Sequence, residues 1–152
     1  MKIQHLISAL LVFSLLIIAL PLQADEKEDA ITYRVRVMKG IGSNMGSIGD
    51  ILKGKVPHKN IMVNYAKSMN ESAQTVATIF KLDTSSSKKN TRAKKEIWAK
   101  WDDFEKKSND LIAASANFVT AAESGDMKKI GAAMKELGGT CGSCHKAYRV
   151  KK

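Results

Sequence analysis

Beyond residue 24, apolar side chains recur along this chain mostly at steps of three and four. That is the period of a helix with one buried face, and no stretch shows convincing strand alternation. Four seams can be traced. The first runs through Ile31, Met38, Ile41, Met45, Ile48 and Leu52, and the second through Met62, Tyr65, Met69, Ala73, Val76 and Phe80. The third uses Ile97, Trp101, Phe104, Leu111, Ala114, Phe118 and Ala122. The fourth uses Met127, Ile130, Met134, Leu137, Cys141, Cys144 and Tyr148. Each is close to the a/d stripe that packs helix bundles.

The breaks between seams carry their own chemistry. Gly54 and Pro57 stop the first helix, one by its freedom of backbone and the other because it cannot continue a helix. Residues 83–90 form a polar loop. Gly125 followed by Asp126 reads as a C-terminal stop and a new N-cap. Asp25 with Glu28 reads as a capping pair for the first helix. Repeats and a second domain are absent. The pattern predicts an all-α fold, an antiparallel four-helix bundle with short connections.

The first residues are of a different kind. Lys2 is followed by a largely apolar, uncharged run from Leu6 to Leu20, and Ala24 is followed by the polar Asp25-Glu26-Lys27-Glu28. Residues 1–24 therefore read as a secretory signal peptide cleaved after Ala24, which leaves residues 25–152 as one domain. A retained membrane anchor is the rival reading, but the run is shorter than the ~20 residues of a spanning helix. No cysteine stands near the cleavage point to carry a lipid. The full chain has 25 basic and 15 acidic side chains and a net charge of +10. The leader holds only one of those charges, so the exported part stays strongly basic. Such a surface suits acidic partners or an anionic membrane, or serves solubility alone.

The chain has two cysteines, and they stand in Cys141-Gly142-Ser143-Cys144-His145. C-x-x-C-H is the pattern of covalent c-type haem attachment. On a helix, positions 141, 144 and 145 fall within roughly a 100° arc, so two thiols and an imidazole can meet one porphyrin. The rivals fare worse. A thioredoxin-like pair belongs beside a βαβ unit, and a zinc site needs about four ligands. A disulfide across one helical turn would constrain almost nothing. Export agrees with haem attachment, which in bacteria happens outside the cytoplasm, and an exported haem protein has no nucleic acid to meet. The cysteines lie on the fourth seam, which turns the haem toward the bundle interior.

Arg34 lies between Ile31 and Met38 on the first seam. A buried guanidinium needs an anionic partner, and a haem propionate would serve; the other reading is a side chain reaching out to solvent. Seven methionines invite the question of a thioether ligand, although methionine on a seam is ordinarily core filling. On chemistry alone Met38 and Met45 are equal candidates for the sixth iron position, and His58 is a third. Arg149, one turn after His145, is either a group at the haem edge or a surface charge. Gly42, Gly46 and Gly49 share a helix face, which fits a close helix crossing or a dimer contact.

Taken together, these features resemble the class II cytochromes c, the cytochrome c-prime family. Most c-type cytochromes carry the motif near the N-terminus, whereas here it sits near the C-terminus. The run from Cys141 to Arg149, with Tyr148-Arg149 after the histidine, is similar to the family's C-terminal signature. Tyr33-Arg34 followed by Met38 resembles its first-helix pattern, and Trp98 resembles a feature of its third helix. The resemblance implies one covalent haem c, with Cys141 and Cys144 as thioethers and His145 as proximal iron ligand. It also favours Met38 over Met45 as distal ligand and makes Arg34 and Arg149 propionate or haem-edge candidates. In the low-spin branch the distal residue is methionine, and the implied function is periplasmic electron transfer. The other branch is five-coordinate and binds NO or CO. Implied partners are periplasmic redox proteins with acidic docking surfaces, and a homodimer through the first two helices. With no distal acid–base pair to work with, the chain is not read as an enzyme.

Overall fold

The structure, a computed structural model, describes residues 20–151, with side chains from Glu26 onward. Most of the predicted leader, residues 1–24, lies outside the described residues. Six helices follow in order: α1 (Leu20–Leu52), α2 (Met62–Gln74), α3 (Val76–Phe80), α4 (Glu96–Ala99), α5 (Trp101–Ser124) and α6 (Met127–Tyr148). A 3-10 turn, Lys59–Ile61, leads into α2. The four long helices pack as α1 on α2, α2 on α5 and α5 on α6, which is the predicted four-helix bundle. Among the described residues no helix is long and apolar enough to cross a membrane.

The helix ends show local chemistry at work. The first helix closes in a Schellman motif: Gly54, at φ +70°, donates to Ile51 O, and Lys55 N reaches back to Asp50 O. Gly125, at φ +66°, ends α5. The Asp126 carboxylate then accepts from the backbone N–H groups of Lys128 and Lys129 and starts α6. The predicted cap at Asp25 is corrected. The first helix already begins at Leu20, so Asp25 and Glu28 lie inside it.

Two predicted helices are each broken once. In the second, the Thr75 N–H and hydroxyl both donate to Ser72 O, at 3.1 and 2.8 Å, and this tighter turn separates α2 from α3. In the third, Lys100 leaves helical geometry at φ −132°, ψ 51°. The two sides of that break have different partners. Trp98 Nε1 donates to Phe80 O at 2.8 Å, whereas Tyr148 Oη reaches Lys100 O from α6.

Between the helices lies a core of Ile48, Met69, Phe118 and Leu137, with no exposed surface. Phe104 extends it toward one end, its ring 5.2 Å from Phe80, 5.6 Å from Trp101 and 5.3 Å from Tyr148. At that end the chain beyond α6 pairs with the segment before α4. Ala93 and Arg149 form an isolated antiparallel bridge, Val150 N donates to Arg92 O, and Lys94 N donates to Tyr148 O. The close-crossing reading of Gly42, Gly46 and Gly49 does not hold within the chain. A Cβ built on any of the three meets no atom within 4 Å.

Candidate haem site

A cavity of about 500 Å³ opens at the aromatic end of the bundle. That is within the ~300–1,000 Å³ of cofactor sites. One wall comes from successive turns of α1 and includes Arg34, Met38 and Lys39. Val76, Phe80, Ile97 and Phe104 supply an apolar floor. The last turn of α6 brings Cys144, His145 and Tyr148, with Arg149 just beyond, and the 90–93 segment closes the rim.

Five of the six predicted site residues therefore line one cavity: Arg34, Met38, Cys144, His145 and Arg149. Cys141 lies one turn before Cys144 on α6 and is half-buried, but it does not line the cavity. The two cysteines are not joined to each other in a disulfide. The two other candidate iron ligands are elsewhere. Met45 packs against the core, and His58 is exposed in the loop before α2.

The surroundings tune these groups. Burial pushes both thiols up from the usual range, which keeps them protonated at neutral pH. Burial also pushes the His145 imidazole down, helped by the Arg149 and Arg92 cations, so the neutral form with a free lone pair is favoured. The Tyr148 phenol is pushed up to about 12 by burial and by the Asp103 carboxylate that accepts its proton in a 2.6 Å hydrogen bond.

Arg34 stands at the edge of this cavity, as the sequence reading placed it. It lines the cavity, but three of its N–H groups are turned to the protein. Nε donates to Ile79 O at 2.6 Å, Nη1 to Thr84 Oγ1 at 2.6 Å, and Nη2 to Leu82 O. Burial lowers its pKa, and nearby Asp83 partly opposes this; a guanidinium stays charged regardless.

Two cations of the lining escaped the sequence reading. Lys39 follows Met38 on α1. Arg92 comes from a polar loop with no periodicity to mark it, and is held there by donating Nε and Nη2 to Val150 O at 2.9 and 2.7 Å. Arg34, Lys39, Arg92 and Arg149 thus line the cavity without a single carboxylate.

This arrangement fits a haem. The volume is right, the floor is apolar, two thiols and an imidazole share one helix end, and the cationic lining suits a group with two carboxylates. Such a bundle, with these donors on its last helix, defines a four-helix protein built to hold covalent haem.

Comparison with known proteins agrees. The sequence profile of the family described as Cytochrome C' matches residues 29–149. A cytochrome c' of Rhodospirillum rubrum is 31% identical over 150 residues, covering 99% of both chains. A cytochrome c-556 of Agrobacterium tumefaciens (strain apple 185) is 36% identical over 123 residues, covering 78% of this chain and 93% of that one. Among solved structures, a nitric oxide complex of a mutant cytochrome c prime from Alcaligenes xylosoxidans superposes with a TM-score of 0.74 at 27% identity. It covers 83% of this chain and 97% of its own. A carbon monoxide-bound variant of the same protein also scores 0.74. The chain belongs to the cytochrome c' family, a class II cytochrome fold, and its cofactor is one covalent haem c with its iron.

Proposed function

We propose that this chain is a periplasmic electron carrier in which His145 is the proximal and Met38 the distal iron ligand. One observation carries the reading: Met38 of α1 and His145 of α6 line the same cavity, and neither Met45 nor His58 does. The haem, when bound, supplies one-electron exchange between ferric and ferrous iron. The chain's residues do the rest. Cys141 and Cys144 hold the ring through thioethers, and His145 gives a neutral nitrogen. A Met38 thioether favours the ferrous state, as do the apolar side chains of the floor. Exposed Lys39 and Arg149 at the cavity suit a redox partner with an acidic docking surface.

A second reading has its own support. Variants of the Alcaligenes xylosoxidans relative hold nitric oxide and carbon monoxide in solved structures, which supports a five-coordinate site that binds small gases. The relatives support this alternative better than they support electron transfer; Met38 supports electron transfer. Optical spectra of the purified ferric and ferrous protein, followed by addition of CO, separate the two. Low-spin spectra in both states, with slow CO uptake, are expected of the carrier. A high-spin spectrum with immediate CO binding overturns it in favour of gas binding.

A further inference from the structure

Arg34 is 3% exposed, the one charged side chain buried among the described residues. A desolvated guanidinium is costly unless its donors and charge are met. Here they are met by one short stretch of chain. Ile79 O and Leu82 O flank the C-terminal end of α3, where helix carbonyls lack partners, and Thr84 Oγ1 follows two residues later. The guanidinium carbon lies 4.9 Å from the centre of the Phe80 ring and 5.5 Å from that of Trp98. Trp98 in turn donates to Phe80 O.

The segment needs this support. The third helix is five residues long, too short to hold itself, and the 81–83 stretch beyond it is exposed. Its other polar tie to α1, Lys27 Nζ to Ser86 Oγ, is exposed. Yet the segment forms part of the site, because Val76 and Phe80 line the cavity alongside Met38. Met38 lies one turn after Arg34 on the same helix face.

We propose that Arg34 is a positioning residue that pins α3 and the 82–84 stretch to α1, and so closes this wall of the cavity against entering ligands. The proposal rests on haem in the cavity but not on ligation by Met38. A side chain whose main partner was a propionate would hold the cofactor instead and leave the wall to itself.

The test uses the haem-loaded protein and two variants. Thr84→Val removes one acceptor of the fork, and Thr84 does not line the cavity, so a propionate contact is untouched. Arg34→Lys keeps the charge but not the planar fork that reaches three acceptors. Expected for Thr84→Val is CO association with the ferrous protein about tenfold faster, the weight of one hydrogen bond to a charged group. Amide exchange across 80–85 should quicken while exchange in α6 stays unchanged. Arg34→Lys should do at least as much. A Thr84→Val protein with unaltered CO kinetics and exchange overturns the proposal. So does an Arg34→Lys protein that behaves as the unmodified one. The coordination state is read separately from the unmodified ferric spectrum, and a high-spin result there leaves the comparison of variants standing.

Discussion

Tyr148 Oη donates to Asp103 Oδ2 at 2.6 Å and joins the last residue of α6 to the first turn of α5. The ring meets Phe104 edge-on, which seats the phenol between the core and the candidate haem site. Folding raises the phenol to about 12, while an unfolded tyrosine titrates near 10. The native state therefore favours the protonated phenol. Its stabilisation is complete below about pH 10 and is lost as pH rises toward 12. Tyr148→Phe should cost about 1 kcal/mol at neutral pH. Denaturant titrations of both proteins should show that difference shrinking between pH 10 and 12. A difference that holds constant across that window would contradict the assignment.

Met38→Ala removes the thioether from the cavity. The expected spectrum is high-spin, with CO binding at once, and the stability cost is no more than about 2 kcal/mol because the side chain is half-buried. Met45→Ala serves as the control, since that residue does not line the cavity. A low-spin spectrum that survives Met38→Ala but not Met45→Ala would reverse the two roles.

The cysteines make a prediction that needs only a denaturing gel stained for haem. Cys141→Ala and Cys144→Ala should each retain haem through one remaining thioether, and the double variant should lose all of it on denaturation. Retention in the double variant would remove the basis for covalent attachment at this motif.

At the start of α6, the Asp126 carboxylate satisfies two backbone N–H groups. Asp126→Ala should cost about 1 kcal/mol, while Asp126→Ser should cost much less because a hydroxyl can replace the carboxylate. Thermal unfolding with haem in place resolves that difference, which corresponds to about 3 °C in a domain of this size.

Much of this architecture could be read from residue spacing, because helix seams and caps are local. The seam from Met127 to Tyr148 coincides with α6, and Gly125 and Asp126 stand at the boundary as their chemistry requires. The breaks at Thr75 and Lys100 were not legible. Threonine is common in helices, and whether its hydroxyl bonds backward depends on what lies beside it. Arg34 was legible as an odd cation on an apolar face, but its partners, 45 to 50 residues away, were not. Arg92 gave no signal, since its place in the cavity comes from a pairing with Val150 across 58 residues.

That pairing has a consequence for how the protein comes together. Two stretches of backbone, 91–94 and 148–150, meet without a hairpin turn between them, with α4, α5 and α6 filling the interval. Closing so long a loop carries an entropy cost that only finished helix packing offsets. The wall formed by His145, Arg149 and Arg92 thus depends on the packing of α4, α5 and α6 between those two stretches. Loss of the chain end beyond Tyr148 would therefore free Arg92 as well as Arg149, and open the rim of the site from both sides.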